Sequence, residues 1–255
     1  MNQTSKTEDW LALWLYGAEL LLNPSPGKIL GGYESVDSRR RFHRHLRRLQ
    51  QRRLLQSSRL EGRRTFRLTD RGRLLAHGGR DPAERWGRRW DGRWRMVLFD
   101  LPSRRQSARV RLIRWLHQQH FGCLQRSVWV HPDTVALLRP ALQEWAADAG
   151  KATVVEARCA AGFSDTAIVA AAWNFQKINE CYADYLRVAA EASQLVRKGS
   201  RAGAALARWL RQERAAWLKA VGRDPLLPQV LLPPGYQGRE AAAARQAALA
   251  EVQRL

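Results

Sequence analysis

The chain has 255 residues, 45% of them hydrophobic, three cysteines and a formal net charge of +21. That length and apolar share allow two or three modest domains with real cores. Cys123, Cys159 and Cys181 are odd in number and widely spaced, with no CxxC and no histidine pattern beside them. This argues against a structural zinc site, and predicts buried, reduced thiols in a cytoplasmic protein; no metal is expected.

The predicted first helix runs from Glu8 to Leu22, with Thr7 as N-cap and Asn23-Pro24-Ser25-Pro26-Gly27 ending it. Its apolar stretch from Trp10 to Leu22 contains Glu19 and is too short to span a bilayer. It also lacks a small-residue cleavage site, so a core helix fits better than a monotopic membrane helix or a signal peptide. A short segment, Ile29 to Val36, follows.

Charge is unevenly spread. Residues 1–36 carry two Lys against four acids, residues 37–73 fourteen Arg against three, and residues 74–111 ten Arg against four. Residues 130–199 are near neutral, with seven basic and eight acidic groups. The excess therefore forms a basic front suited to a polyanion. It peaks between Arg39 and Arg64, where eleven arginines accompany one acid, Glu61. From Ser38 to Gln51 this block draws as a helix with Phe42, Leu46 and Leu49 on one face. Arg40, Arg44 and Arg47 lie opposite, and Arg41 and Arg48 flank them. An apolar stripe to dock and a guanidinium face to meet phosphate suit a DNA-reading helix. A solvated surface helix would intersperse acids to limit self-repulsion.

After Leu54-Leu55 the period changes. Gln56–Leu60 and Arg64–Leu68 read as two strands around a basic tip, Glu61-Gly62-Arg63, and Thr69-Asp70-Arg71-Gly72 starts a helical turn. Helices followed by a two-stranded ribbon predict a winged helix-turn-helix. In that arrangement Arg63 and Arg64 follow the phosphate backbone, and long helix residues reach base edges. Gly78 to Gly92 reads as a linker. Its Trp86 and Trp90, with Trp94 next in the period, are expected to wedge between domains, and base stacking is the alternative.

A second unit opens with the buried strand Trp94–Asp100, ending at Leu101-Pro102. A helix from Arg104 to Gln119 follows, with Val110, Ile113 and Leu116 facing inward. A strand at Ser127–His131, a helix at Thr134–Ala149 and a strand at Ala152–Ala157 complete a βαβ-αβ order. That order suggests a ferredoxin-like module whose fourth strand the pattern does not locate. Beyond Gly162 one long helix or two span Ile168–Lys198, and another spans Gly203–Val221. Gly222-Arg223-Asp224-Pro225 breaks it. Leu226 to Gly235 is an extended strap, and a last helix covers Gly238–Leu255.

Four landmarks resemble the PaaX family, bacterial repressors of phenylacetic acid catabolism and their relatives. They are the arginine helix with Glu61–Gly72, then Trp90–Pro102, then Gly122–Pro132. The fourth is Asp224–Pro228, with Leu231-Leu232-Pro233 and Tyr236-Gln237-Gly238 after it. The resemblance implies an α+β chain in three domains. Residues 1–78 would form an N-terminal winged helix-turn-helix, and 79–93 a linker. Residues 94–160 would be a ferredoxin-like, Cas2-like centre, and 161–255 a helical C-terminal effector or dimerisation domain. It also implies a homodimer on double-stranded DNA, released by an effector of the aryl-acetyl coenzyme A kind. Operator readers would be Ser38, Arg39, Arg40, His43, Arg44, Arg47 and Arg48, with Arg63 and Arg64 from the wing. Trp173, Phe175, Tyr182 and Tyr185 could line an effector pocket or simply be core. Trp173-Asn174 stands where relatives carry Trp-Asp, which leaves the effector open.

The strongest catalytic candidate is Asp100, at the end of a strand where the Cas2 fold can carry a metal-binding carboxylate. One such Asp per chain falls short of the pair that Mg²⁺ requires, unless a dimer supplies the second. No GxSxG, HExxH or GxGxxG occurs. The expectation is therefore a regulator without catalytic residues or cofactor. The alternative is a non-specific nucleic-acid binder or Cas2-like metal-dependent nuclease.

Overall fold

The computed structural model describes residues 36–60, 63–76, 79–100, 106–136, 138–146, 151–198 and 203–253, and the predicted helix Glu8–Leu22 lies outside them. The described elements begin with α1 (Val36–Gln51), β1 (Leu55–Leu60), β2 (Arg63–Leu68), α2 (Asp70–Ala76) and α3 (Pro82–Gly87). Next come β3 (Trp94–Asp100), α4 (Gln106–Gln118), β4 (Gly122–Gln125), β5 (Val128–His131), α5 (Leu138–Ala146) and β6 (Lys151–Ala157). The later part holds α6 (Asp165–Ala172), α7 (Phe175–Ala190), α8 (Ala192–Lys198), α9 (Gly203–Arg223), a 3-10 turn at Gln229–Leu231, and α10 (Gly238–Gln253). The chain divides into two compact units. One comprises Met1–Asp81, Tyr182–Lys219 and Gly238–Leu255, the other Pro82–Cys181 and Ala220–Gln237.

In the second unit the sheet order is β4-β5-β3-β6, with antiparallel neighbours throughout. This is the ferredoxin-like arrangement, and β4 is the strand the sequence pattern missed. Four residues with a glycine at one end and an irregular register between Cys123 and Gln125 leave no alternation to read. Gly122 is needed for space, since a Cβ there would sit 2.6 Å from the Trp173 ring and 2.7 Å from Ala172. The central strand β3 reads as an apolar run because one face and the start of the other are covered, while Leu98 stays partly exposed. Val97 and Phe99 pack with Trp129, Leu112, Leu116, Phe121, Leu138 and Leu142. Trp94, on the other face, packs with Val130, Val169, Ala172, Leu227 and Leu231.

Several expectations need correction. Val110 does not face inward: it is 42% exposed, and Leu112 and Leu116 anchor α4 instead. That helix ends in a left-handed His120 (φ 62), with Phe121 N–H donating to Leu116 O at 3.0 Å and His120 N–H to His117 O at 3.0 Å. The supposed linker contains α3, and its tryptophans pack within this unit. Trp86 meets Tyr236 edge-on at 5.9 Å, and Trp90 meets Trp94 at 5.3 Å. Trp94 donates its Nε1–H to Asp165 at 2.7 Å. Trp86 and Trp94 are buried, so neither offers a face for stacking on bases. Of the three cysteines only Cys181 is buried, while Cys123 and Cys159 are half-buried.

Four arginines of this unit, Arg85, Arg88, Arg93 and Arg95, are committed to carboxylates. Arg88 Nε donates to both oxygens of Asp133 at 2.9 Å, and Arg85 lies 3.6 Å from the same carboxylate. Arg95 pairs with Asp91 at 2.6 Å and Glu156 at 3.4 Å, and Arg93 with Glu156 at 3.4 Å. The Arg95 guanidinium holds the Asp91 carboxyl down at about 2.

His131, at the end of β5, is buried, its Nδ1 accepting the Asp133 N–H at 3.0 Å. Burial pushes it down to about 4, with Arg88 and Arg85 acting in the same direction against the backbone and charge of Asp133. A depressed folded pKa means the unfolded chain binds the proton first, so stability is full above about 6.5 and falls toward pH 4. Denaturant titrations should lose up to about 1.4 kcal/mol per pH unit across that window. His131→Gln should flatten the slope, and an unchanged slope would assign the effect to other groups.

The strap is pinned at both ends. Buried Asp224 accepts the Leu226 N–H at 2.7 Å and the Tyr236 hydroxyl. Asn179 donates to Gly235 O at 3.0 Å and accepts the Gln237 N–H at 3.1 Å. The preceding helix runs to Arg223, two residues past its expected end. The span predicted as one or two helices holds three, two of them preceded by polar caps. Ser164 Oγ accepts the Ala167 N–H at 3.2 Å before α6, and Asn174 Oδ1 accepts the Lys177 N–H at 2.9 Å before α7.

In the first unit, Tyr182 and Tyr185 are fully buried against Trp217, with ring centroids 6.3 and 5.0 Å away. Glu213, also fully buried, accepts from the Tyr185 hydroxyl at 3.0 Å and from Arg245 Nε at 2.8 Å. The Arg245 guanidinium lies 4.8 Å over the Trp217 ring. These contacts tie α7, α9 and α10 together.

Candidate nucleic-acid interface

The arginine block folds as the periodicity predicts, into α1. Leu46 and Leu49 are 3% and 2% exposed, whereas His43, Arg44, Arg47 and Arg48 face solvent. Ser38, Arg39 and Arg40 lie in the helix backbone, but their side chains, with those of Phe42, Arg63 and Arg64, fall outside the described residues. Among the described residues no carboxylate pairs with Arg44, Arg47, Arg48, Arg52, Arg53 or Arg71. The contrast with Arg85, Arg88, Arg93 and Arg95 is direct: those guanidiniums are internally neutralised, and these are not.

What holds the helix to the hairpin is a compact joint. Arg53 adopts a left-handed conformation (φ 55), and its N–H donates to Gln50 O at 2.9 Å. Leu54 N–H donates to Leu49 O at 2.9 Å, and both leucines are 2% exposed. This is a Schellman closure with its apolar contact, achieved without the usual glycine. Thr69 then bridges back. Its N–H donates to Leu54 O at 3.1 Å, and its hydroxyl donates to Arg53 O at 2.8 Å while accepting the Gly72 N–H at 3.0 Å. One side chain therefore caps α2 and ties it to the end of α1.

The hairpin pairs antiparallel from Leu55↔Leu68 to Leu60↔Arg63. Arg63 is thus a strand residue, not part of the tip. Phe66 and Leu68 turn inward at 6% and 4% exposure, beside Leu54 and Leu55 at 2% and 3%. Alternation places Arg67 on the solvent side. A rod of exposed guanidiniums and a basic two-stranded ribbon, rigidly joined, can follow two stretches of a phosphate backbone.

The effector candidates are packing residues in this structure. Trp173 sits over Gly122, with its Nε1–H on His120 O at 3.3 Å, and Phe175 meets Tyr236 edge-on at 5.9 Å. Tyr182 and Tyr185 lie in the other unit's core. Asp100 ends β3 exposed, opposite Lys151 in the sheet register. Among the described residues no group of three His, Cys, Asp or Glu is arranged to hold a metal. No described helix is long and apolar enough to cross a membrane.

Comparison with known proteins decides the family. Residues 87–169 match the PaaX protein central Cas2-like domain, and residues 173–255 match the PaaX-like protein C-terminal domain. The chain belongs to the PaaX family. As a PaaX-family protein it is a DNA-binding transcriptional regulator and not an enzyme, with a Cas2-like centre and a helical C-terminal domain. No curated protein matches it. Among solved structures it is similar to the uncharacterized protein Rv0674 from Mycobacterium tuberculosis. The identity is 22% over 84% of this chain and 83% of that one, at a TM-score of 0.44.

Proposed function

We propose that residues 1–78 form a winged helix in which α1 reads an operator half-site and the β1–β2 ribbon is the wing, two copies together binding a palindrome in the cytoplasm. The observation that carries this reading is the unneutralised guanidinium face of α1 over an apolar anchor. Ser38, Arg39, Arg40, His43, Arg44, Arg47 and Arg48 are assigned to the groove and adjacent phosphates, and Arg63 and Arg64 to the wing's phosphate contacts. An arginine at a guanine edge specifies sequence, and one on phosphate gives affinity without choice. A footprint on genomic fragments should show a two-fold site bound far above background. Equal affinity for unrelated duplexes would instead favour a general binder.

Two substitutions separate the roles. Arg44→Ala should relax base preference at one operator position by about 1–3 kcal/mol. Arg63→Ala should weaken all duplexes alike and lower the salt slope by about one unit. Competition binding against altered operators reads both, and the reverse pattern would exchange helix and wing.

Release by an acyl coenzyme A thioester, such as an aryl-acetyl one, is the effector reading that family membership supports. Residues 94–160 and 161–255 would be the central and the sensing or dimerising domains, joined to the winged helix through 79–93. Trp173, Phe175, Tyr182 and Tyr185 are the aromatics assigned to sensing. Because Tyr182 and Tyr185 are fully buried, a ligand that engages them must repack their neighbours, Trp217 included. Operator release on thioester addition, with a tryptophan emission change, is the expected result. A panel of thioesters that neither binds the protein nor releases DNA would remove the sensor role.

A further inference from the structure

We propose that α4 of the Cas2-like domain presents a second phosphate-contacting surface, which meets duplex DNA outside the stretch engaged by α1 and the wing. The inference rests on the operator-binding reading above, but its observations are separate. Helix α4 contains Arg109, Arg111 and Arg114 and no acidic residue over its 13 positions. Its buried side is Leu112 and Leu116, in the core beneath the sheet. Ser107, Val110, Arg111, Arg114 and Gln118 are exposed, and their spacing puts them on one outward stripe.

Among the described residues, the stripe lacks the pairing that neutralises the arginines on the other side of this domain's sequence, before and within β3. Arg85, Arg88, Arg93 and Arg95 each have a carboxylate partner, whereas no described carboxylate pairs with Arg111 or Arg114. These two stand three positions apart, where like charges repel, with side chains roughly 5–6 Å from one another at their base. Helix α5 shares the core with α4 and adds an exposed Arg139, again without a described acidic partner. Unreturned repulsion between guanidiniums on a rigid, well-anchored helix is relieved by a polyanion. Val110 is the one exposed large apolar side chain on the stripe, too little to seat a helix in lipid. A protein already committed to DNA has that polyanion at hand.

The test uses the full-length protein and two duplexes carrying the same footprinted site. One ends at the edge of the α1 and wing contacts, and the other extends about two helical turns further on each side. For Arg111→Gln/Arg114→Gln, the salt slope on the long duplex should drop by about two units, one for each phosphate no longer neutralised. The slope on the short duplex should not change, nor should the melting temperature. Arg111→Lys/Arg114→Lys should keep the wild-type slope, since phosphate neutralisation needs charge more than shape. Equal slopes for the Gln pair and the unaltered protein on the long duplex would overturn the proposal. So would an equal drop on both duplexes, or an effect seen only on vesicles containing phosphatidylserine. If the unaltered protein shows no site preference at all, the α1 reading fails, and this one with it.

Discussion

Gly72→Ala should abolish operator binding and destabilise the helix–hairpin joint by about 3 kcal/mol. A Cβ at this position would lie 2.1 Å from the Leu54 carbonyl oxygen, 3.0 Å from its carbon and 3.1 Å from Leu68 Cδ2. The nearest obstacle is backbone, so no rotamer change relieves it. Nor can Leu54 retreat cheaply. Its carbonyl accepts the Thr69 N–H, its own N–H closes the end of α1, and its side chain is buried. Whichever part yields, the angle between α1 and the ribbon changes, which matters if, as proposed, both contact the duplex together. Operator affinity and hydrogen exchange of α1 and β1 amides would measure it. Wild-type affinity in Gly72→Ala would mean that helix and ribbon do not act as one rigid reader.

Arg245→Ala should cost roughly 3–5 kcal/mol, because it removes the paired cation from Glu213, a charge fully out of solvent. It also removes the cation over Trp217 and one hydrogen-bond donor to the carboxylate that holds the Tyr185 hydroxyl. The companion result distinguishes charge from packing. Glu213→Leu combined with Arg245→Met and Tyr185→Phe keeps volume while deleting both charges and the hydroxyl that Glu213 accepts from, and should recover much of the stability. Denaturant unfolding of both variants reads this directly. If the triple variant is as unstable as Arg245→Ala, the pair is needed for its geometry and not merely for mutual neutralisation.

Legibility followed the physics of each element. The amphipathic period of α1, the alternation of the ribbon and the apolar runs of β3, β5 and β6 each stand in a few adjacent residues, so the chain declares them locally. β4 escaped because a four-residue strand with a glycine and an irregular register carries no periodic signal. Val110 was misassigned because α4 has apolar residues on more than one side, and only the sheet decides which side is covered. The Trp86–Trp90–Trp94 period suggested an inter-domain wedge, yet Tyr236 and Asp165, far along the chain, draw the first and last into one unit's interior.

Composition and local period alone determined that this protein is strongly cationic at its front and that its densest arginine run is an anchored helix. They could not decide which arginines remain available to a ligand. Over residues 37–111 the guanidiniums look alike in sequence, but Arg88 meets Asp133, and Arg93 and Arg95 meet Glu156, across dozens of residues. Charge is a property of a residue, whereas neutralisation belongs to a pair brought together by the fold. For that reason only the tertiary structure separates the arginines that brace the Cas2-like domain from those left facing outward.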